Sequence, residues 1–138
     1  MEKQKQSSFK FLRYLVERAE IKLPNRYIEE DEFEIRIIPS GICSGNRFDL
    51  LLEVIVSNTD NSFSAEIDII GYFQFKPGCT VIDNFLVLNA PAILFPYVRA
   101  FISTLTAISG GATIIPPTLN LTSLAEELKK NIKIEDSK

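Results

Sequence analysis

The side chains that could do acid–base chemistry in this sequence are carboxylates, because its 138 residues include no histidine. Without histidine there are no serine–histidine or cysteine–histidine nucleophiles, no histidine-ligated zinc or haem, and no imidazole general base. The acidic candidates are Glu53, Glu66 and Asp68, which project from predicted strands without a neighbouring base or a metal-binding set. Catalysis requires groups held in mutual geometry, and these three residues do not supply it. We therefore expect no enzyme activity, no cofactor and no metal.

Cysteine usage and net charge narrow the class of protein further. Cys43 and Cys79 lie far apart without a CxxC spacing, which predicts reduced thiols rather than a redox or metal site. The net charge of −3 argues against a nucleic-acid partner, since such proteins usually concentrate lysine and arginine into a basic field. The first residues, MEKQKQSSF, lack the apolar run of a signal peptide, which predicts a cytoplasmic protein.

Alternating apolar and polar residues predict the strands that position the carboxylates. Period-two patterns predict strands over 33–37, 48–57 and 63–75, and a less regular pattern predicts a first strand over 9–23. Short turns between the later strands favour antiparallel neighbours. We expect a single α+β domain over residues 1–138, built on a four-stranded antiparallel sheet with one apolar face and one largely acidic face.

A nearly uncharged stretch follows the sheet, because Arg99 is the only charged residue between 84 and 125. Residues 92–109 are predicted to form a long helix, opened by Pro91 and closed by Gly110. One half of its circumference is apolar and includes Tyr97. The other, outward half includes Phe95 and is otherwise small or weakly polar, whereas a surface helix normally carries charge there. Mid-helix Arg99 and a length at the short limit for a bilayer core of about 30 Å argue against a membrane span. We expect a second copy of the chain to cover the outward side of this helix, with Tyr97, Arg99, Ala100, Ser103 and Thr106 as the contact residues.

Two further helices are predicted around the long one. A short helix is expected over 81–88, and an amphipathic helix over 121–131, where Ser123 and Glu126 have the spacing of a capping box. The residues from Ile132 onwards are expected to form a loose tail.

One segment of the long helix carries a family resemblance. Residues 89–99, NAPAILFPYVR, resemble the CP-x-x-LFPYAR segment of the SecB protein-export chaperone family, with Asn-Ala in place of the usual cysteine. Residues 116–121, PPTLNL, resemble the family's entry to its final helix, and 63–75 and 9–25 resemble two of its strands. The resemblance spans nearly the whole chain, although only LFPY-x-R is specific. It implies a homotetramer, a dimer of dimers with the long helices between sheets, that needs no ATP.

The resemblance also implies a client site, because SecB proteins hold unfolded polypeptides in apolar grooves and pass them to the motor SecA. Burial of apolar area is non-directional, so such a groove accepts many sequences. The simpler interpretation is that the same side chains pack the last helix on the sheet. The corresponding residues here are Tyr27, Ile28, Phe33, Ile35, Leu121, Leu124 and Leu128.

The family's SecA docking site on the polar sheet face is altered in this chain. Two acidic positions become Arg18 and Lys22, a hydrophobic position becomes Ser64, and only Glu66 is retained. Like charges facing a basic tail oppose docking, so the sequence predicts weak or absent SecA binding. Three hypotheses stay open: a general export holdase, a chaperone dedicated to one client such as an antitoxin, and a small-ligand binder, against which the lack of a polar anchor argues.

Overall fold

The computed structural model describes residues 9–26, 33–75, 84–111 and 113–135. This part of the chain forms a five-stranded sheet with the spatial order β1-β4-β3-β2-β5. All neighbouring strands are antiparallel except β2 and β5, which are parallel. The elements are β1 Phe9–Lys22, β2 Phe33–Ser44, β3 Arg47–Asn58, β4 Ser64–Phe75, α1 Asn84–Ile108, α2 Leu124–Lys130 and β5 Ile132–Glu135.

The predicted strand alternation is confirmed in β3 and β4, whose inner faces form most of the core. Phe48, Leu52 and Val54 of β3 are buried, as are Ile67 and Phe73 of β4. Removing each such side chain from water contributes about 1.5–3 kcal/mol, so the inner face is the main source of folding free energy. The α+β class predicted from the sequence is confirmed.

Strand β2 is longer than predicted, because it continues through Pro39 to a hairpin turn at Gly45, where φ is 59°. A proline normally ends a strand, since it cannot donate to the ladder. Here the Pro39 backbone faces away from β3, and its carbonyl accepts a hydrogen bond from Asn131 Nδ2 at 3.1 Å. On the same side the Gly41 N–H donates to the Asn131 carbonyl at 3.2 Å. The missing Pro39 N–H therefore costs no hydrogen bond to β3.

The C-terminal residues form a fifth strand, so the prediction of a loose tail from Ile132 is wrong. Residues Ile132 to Glu135 pair in parallel with Gly41 to Ser44. The sheet is consequently mixed, and the prediction of four antiparallel strands is correct only for β1 to β4. A four-residue strand is too short for alternation to distinguish it from a tail.

Helix α1 begins at Asn84 and is continuous to Ile108, so the two separate helices predicted over 81–88 and 92–109 belong to one helix. Pro91 and Pro96 both lie inside it. The buried side also differs from the prediction. Phe95, which was assigned to the outward half, is only 4% exposed, whereas Tyr97, which was assigned to the apolar half, is 38% exposed. The buried arc is rotated because the side packed in the core includes Phe95 with Leu94, Val98 and Ile102.

By length and composition, α1 is apolar enough to cross a membrane from Val87 to Ile108. The core helix of a soluble protein passes the same test, so this property is weak evidence for a span. In the structure, Val87, Ala90, Leu94, Val98 and Ile102 are buried in the core.

Helix α2 has seven residues, fewer than predicted, and the predicted capping box does not form. Ser123 has helical backbone angles, φ −64° and ψ −19°, and its side chain makes no capping hydrogen bond. A preceding turn starts the helix instead. The Leu124 N–H donates to the Leu121 carbonyl at 3.0 Å, and the Ala125 N–H donates to the Thr122 carbonyl at 3.2 Å.

Candidate functional site

The inner face of the sheet is incompletely covered along β2 and α2. Phe33, Ile35 and Ile37 of β2 are half-buried hydrophobic residues, and so are Leu124 and Ala125 of α2, which contacts both β2 and α1. We call these five residues the apolar strip. At its open end the Phe33 ring meets Phe63 edge-on, with centroids 5.8 Å apart. The strip is held by the core on one side and is accessible on the other.

The remaining predicted groove residues are placed differently. Leu121 is 7% exposed and Leu128 is fully buried, so both fill the core beneath α2 and offer no surface to a client. For these two leucines the simpler interpretation, packing of the last helix, agrees with the structure. Tyr27 and Ile28 lie outside the described residues. Phe33, Ile35 and Leu124 are therefore half-buried against the same core, and so are Ile37 and Ala125, whose partial burial the sequence pattern did not reveal.

The extended link between α1 and α2 is fastened to α1 at two points. Arg99 Nε donates to the Pro116 carbonyl at 2.6 Å. Thr106 is fully buried; its Oγ1 accepts from the Ile114 N–H at 2.9 Å and donates to the Ile102 carbonyl at 2.8 Å. Thr106 is therefore not available for contact with a second copy, contrary to the expectation, and Arg99 is engaged within its own chain. The link directly follows α1 and turns back over it, which the periodicity of the helix alone does not show.

Thr106→Val is expected to lower the free energy of unfolding by about 1–3 kcal/mol, because valine keeps the shape but leaves the buried Ile114 N–H without an acceptor. Urea denaturation followed by circular dichroism measures the change. Thr104→Val is the matched control, since Thr104 is exposed on the same helix. Equal stability of the two variants would show that the Thr106 hydroxyl does not hold the link.

The outward side of α1 is uncharged and accessible. Apart from Arg99, no charged side chain occurs in α1. Ser103, one of the predicted contact residues, is half-buried, and its Oγ donates to the Arg99 carbonyl at 3.0 Å. We call the accessible residues the exposed α1 face: Leu88, Ala92, Tyr97, Ala100, Thr104, Ala107 and Ile108.

Strand β1 extends this apolar surface at one edge of the sheet. Tyr14 is exposed on the inner side of β1, and its ring stacks on Tyr97 of α1 at 4.5 Å between centroids. Phe11 lies on the same side, 5.6 Å from the Tyr97 ring. The outward edge of β1 pairs with no strand among the described residues. Helix and edge strand together form one accessible apolar surface.

On the outer sheet face, Arg18 is surrounded by three carboxylates. Its guanidinium lies 2.8 Å from Glu20, 3.0 Å from Glu66 and 3.8 Å from Asp68. The hydrogen bond to Glu66 is the main reason that the pKa of Arg18 is raised. Glu20 and Glu66 lie directly opposite each other on β1 and β4, so Arg18 relieves a like-charge pair. The retained Glu66 is thus already occupied, and Lys22 faces Ser64 two residues away.

The outer face is not largely acidic, contrary to the prediction. Half-buried Ile38, Leu51, Ile55 and Ile70 lie on it between the charged residues. The cations on this face are Lys10, Arg13, Arg18, Lys22, Arg36, Arg47 and Lys133.

The three carboxylates singled out for chemistry, Glu53, Glu66 and Asp68, all lie on the outer face of the sheet. Glu53 and Asp68 face each other across β3 and β4 and line an open hollow of about 260 Å³. Glu66 is bound to Arg18. Among the described residues, no group of three or more cysteine, aspartate and glutamate side chains is arranged to hold a metal ion.

No family model matches the chain. The uncharacterized protein MJ0357 of Methanocaldococcus jannaschii is 27% identical over 142 residues, covering 94% of this chain and 90% of that protein. Among solved structures, the Rv1957 SecB-like chaperone of Mycobacterium tuberculosis, in complex with a ChAD peptide from the Rv1956 HigA1 antitoxin, matches with a TM-score of 0.65. That match has 12% identity and covers 81% of this chain and 91% of the other. It confirms, for the fold, the resemblance predicted from the LFPY-x-R segment.

Proposed function

We propose that this chain, which has a SecB-like fold, is an ATP-independent chaperone that holds non-native polypeptide on the apolar strip. The observation that carries the proposal is the strip itself, five of the half-buried hydrophobic residues that pack against the buried core. Support comes from the similar fold of Rv1957, which is described in complex with an antitoxin peptide. The chain would act as a soluble cytoplasmic protein.

The energetics suit a holdase. Each large side chain of the strip that a client covers contributes up to about 1.5–3 kcal/mol, less the part already buried in the protomer. Part of this gain is offset by the ordering of the client. The net affinity is moderate, and it depends on apolar area rather than on one hydrogen-bonding pattern. Clients bound in this way can still be released.

We further propose that the exposed α1 face and the inner side of β1 are covered by other copies, giving a homotetramer. An uncharged helix side on a soluble protein is the kind of patch that marks a protein interface. Tyr97 and Ala100 lie on this face, and both were predicted to contact a second copy. Thr106 is left out of the proposed interface because it is buried within the protomer.

The outer face favours a chaperone dedicated to one client over an export chaperone. Docking of a basic tail, as the SecB resemblance implies, needs free carboxylates, but Glu66 is bound to Arg18. Lys22 adds a further positive charge beside it. Rv1957 is itself described with an antitoxin segment. We propose an aggregation-prone segment, such as that of an antitoxin, as the client, with weak or absent hand-off to SecA.

The basic tail of SecA is expected to bind the wild-type protein weakly or not at all in calorimetry. Arg18→Asp with Lys22→Glu is expected to create binding, because it removes two cations and frees Glu66 and Asp68 for the tail. Arg47→Asp with Lys10→Glu changes the net charge equally, at the other end of the outer face from Glu66, and is the control. Tight binding by the wild-type protein would contradict the proposal, as would equal gains in both double variants.

The direct test of the proposal is aggregation of a chemically denatured model substrate, followed by light scattering. A stoichiometric excess of the chain is expected to suppress aggregation without any nucleotide. Capture of bound polypeptides from cells, followed by mass spectrometry, then separates one dominant client from a broad set. Undiminished aggregation at every ratio of chain to substrate would remove the holdase assignment.

A further inference from the structure

A cluster of cations lies at the end of the outer face that is remote from Arg18. Arg13 lies over the Tyr72 ring, with Cζ 4.1 Å from the ring centroid, and Arg47 approaches the same ring at 6.0 Å. Lys10 and Arg47 sit in one row across the sheet, each opposite Gln74 of β4. We call Lys10, Arg13, Arg47 and Tyr72 the basic patch. All three cations are exposed.

In the part of the chain that the structure describes, the carboxylates near the basic patch are fewer than its cations. The ion pairs found there involve Arg18, Arg26 and Lys129, and none involves a cation of the patch. The nearest acids are Asp49, directly opposite Tyr72 on β3, and Glu135 of β5, which lies on the other side of Ser44 from Arg47. Burial raises the pKa of Asp49 while Arg47 and Arg13 oppose that rise, and its Oδ1 is buried without a hydrogen-bond partner. Partly buried Asp49 and exposed Glu135 are two carboxylates, fewer than the three exposed cations of the patch.

We propose that the basic patch docks a short acidic segment of a partner polypeptide in extended conformation. A guanidinium presents paired N–H donors that match a carboxylate, and stacking on Tyr72 restricts the Arg13 side chain before binding. Neighbouring strands are about 4.8 Å apart and alternate residues of a strand about 6.8 Å apart. The spacing between cations on neighbouring strand positions is therefore close to the spacing between carboxylates at every second residue of an extended chain.

The surroundings of the basic patch favour a short acidic peptide over a nucleic acid. The same sheet face carries Glu20, Glu66 and Asp68 further along β1 and β4, and the whole chain has a net charge of −3. A long phosphate backbone crossing the patch would continue over these carboxylates and be repelled, whereas a short segment ends before them. The basic patch lies on the opposite face of the sheet from the apolar strip, so the proposal goes beyond the client site.

The test uses a fluorescein-labelled peptide of alternating glutamate and serine and the full-length protein, with binding followed by fluorescence anisotropy. Saturable binding is expected at low ionic strength, weakening as salt is added. Arg13→Glu with Arg47→Glu is expected to weaken binding at least about tenfold, through removal of both guanidiniums and charge repulsion. Lys22→Glu with Arg36→Glu changes the net charge equally outside the basic patch and is expected to retain most of the affinity.

Circular dichroism checks that both double variants are folded. If the Arg13→Glu, Arg47→Glu variant does not fold, Arg13→Gln with Arg47→Gln takes its place in the experiment. Absence of saturable peptide binding, or an equal loss in both double variants, would overturn the proposal. Tighter binding of inorganic phosphate or of a single-stranded oligonucleotide than of the peptide would overturn the choice of partner. Phe33→Asp is expected to leave peptide binding unchanged, which separates this surface from the client site.

Discussion

Phe33→Asp combined with Leu124→Asp is expected to abolish the suppression of client aggregation. Two side chains of the apolar strip would lose their contact with client, and each new carboxylate would have to be desolvated when client binds. A loss of about 1.5 kcal/mol per side chain, from the apolar area still exposed on each and from desolvation of its carboxylate, corresponds to roughly 100-fold weaker binding, since 1.4 kcal/mol is a factor of ten. Titration of the variant into the aggregation assay, together with anisotropy of a labelled unfolded client, measures this loss.

The control for the double variant is Leu15→Asp. Leu15 is 45% exposed and lies opposite Ile70 on the outer face, so the control adds the same charge to an exposed apolar position away from the apolar strip. Leu15→Asp is expected to protect clients as the wild-type protein does. If the double variant is folded, by circular dichroism, and protects equally well, the apolar strip is not the client site.

The sequence predicted those elements whose two sides face different surroundings. Alternation placed β3 and β4 correctly because one face of each is buried by the core. The continuation of β2 depended on Asn131, which supplies the polar partner beside Pro39 from a distant part of the chain. Strand β5 depends on the same contact, since Asn131 leads directly into it. A local sequence pattern shows neither the contact of Asn131 with β2 nor the pairing of β5 with β2.

The sequence predicted that the candidate site is an apolar surface, but it predicted only some of the residues that form it. The amphipathic stripe of α2 identified Leu124 and Leu128, but a stripe shows that one side is apolar and not how much of it the core covers. Leu124 is half-buried and Leu128 is fully buried, and this difference arises from tertiary packing rather than from the helical pattern. Arg99 and Thr106 were predicted to contact a second copy because nothing in the helix sequence reveals the link that passes over them.

Ala100→Glu is expected to dissociate the proposed tetramer. Ala100 lies on the exposed α1 face, which offers no cation except the engaged Arg99, so a buried glutamate there would stay unpaired and strongly unfavourable. Light scattering coupled to size exclusion is expected to give a tetramer for the wild-type protein at micromolar concentration and a smaller species for the variant. Thr113→Glu adds the same charge at an exposed position of the link and is expected to leave the assembly intact. A monomeric wild-type protein would contradict the assembly directly.

The dissociated variant also separates the client site from the assembly, because the apolar strip and the proposed interface occupy different parts of the protomer. β1 lies at one edge of the sheet, whereas β2 lies beside the other. A short peptide that fills one strip is therefore expected to bind Ala100→Glu with wild-type affinity. A long unfolded client that spans several strips is expected to bind it more weakly, because linked sites raise the effective concentration of each further segment. Equal losses for both ligands would place part of the client site in the neighbouring protomer.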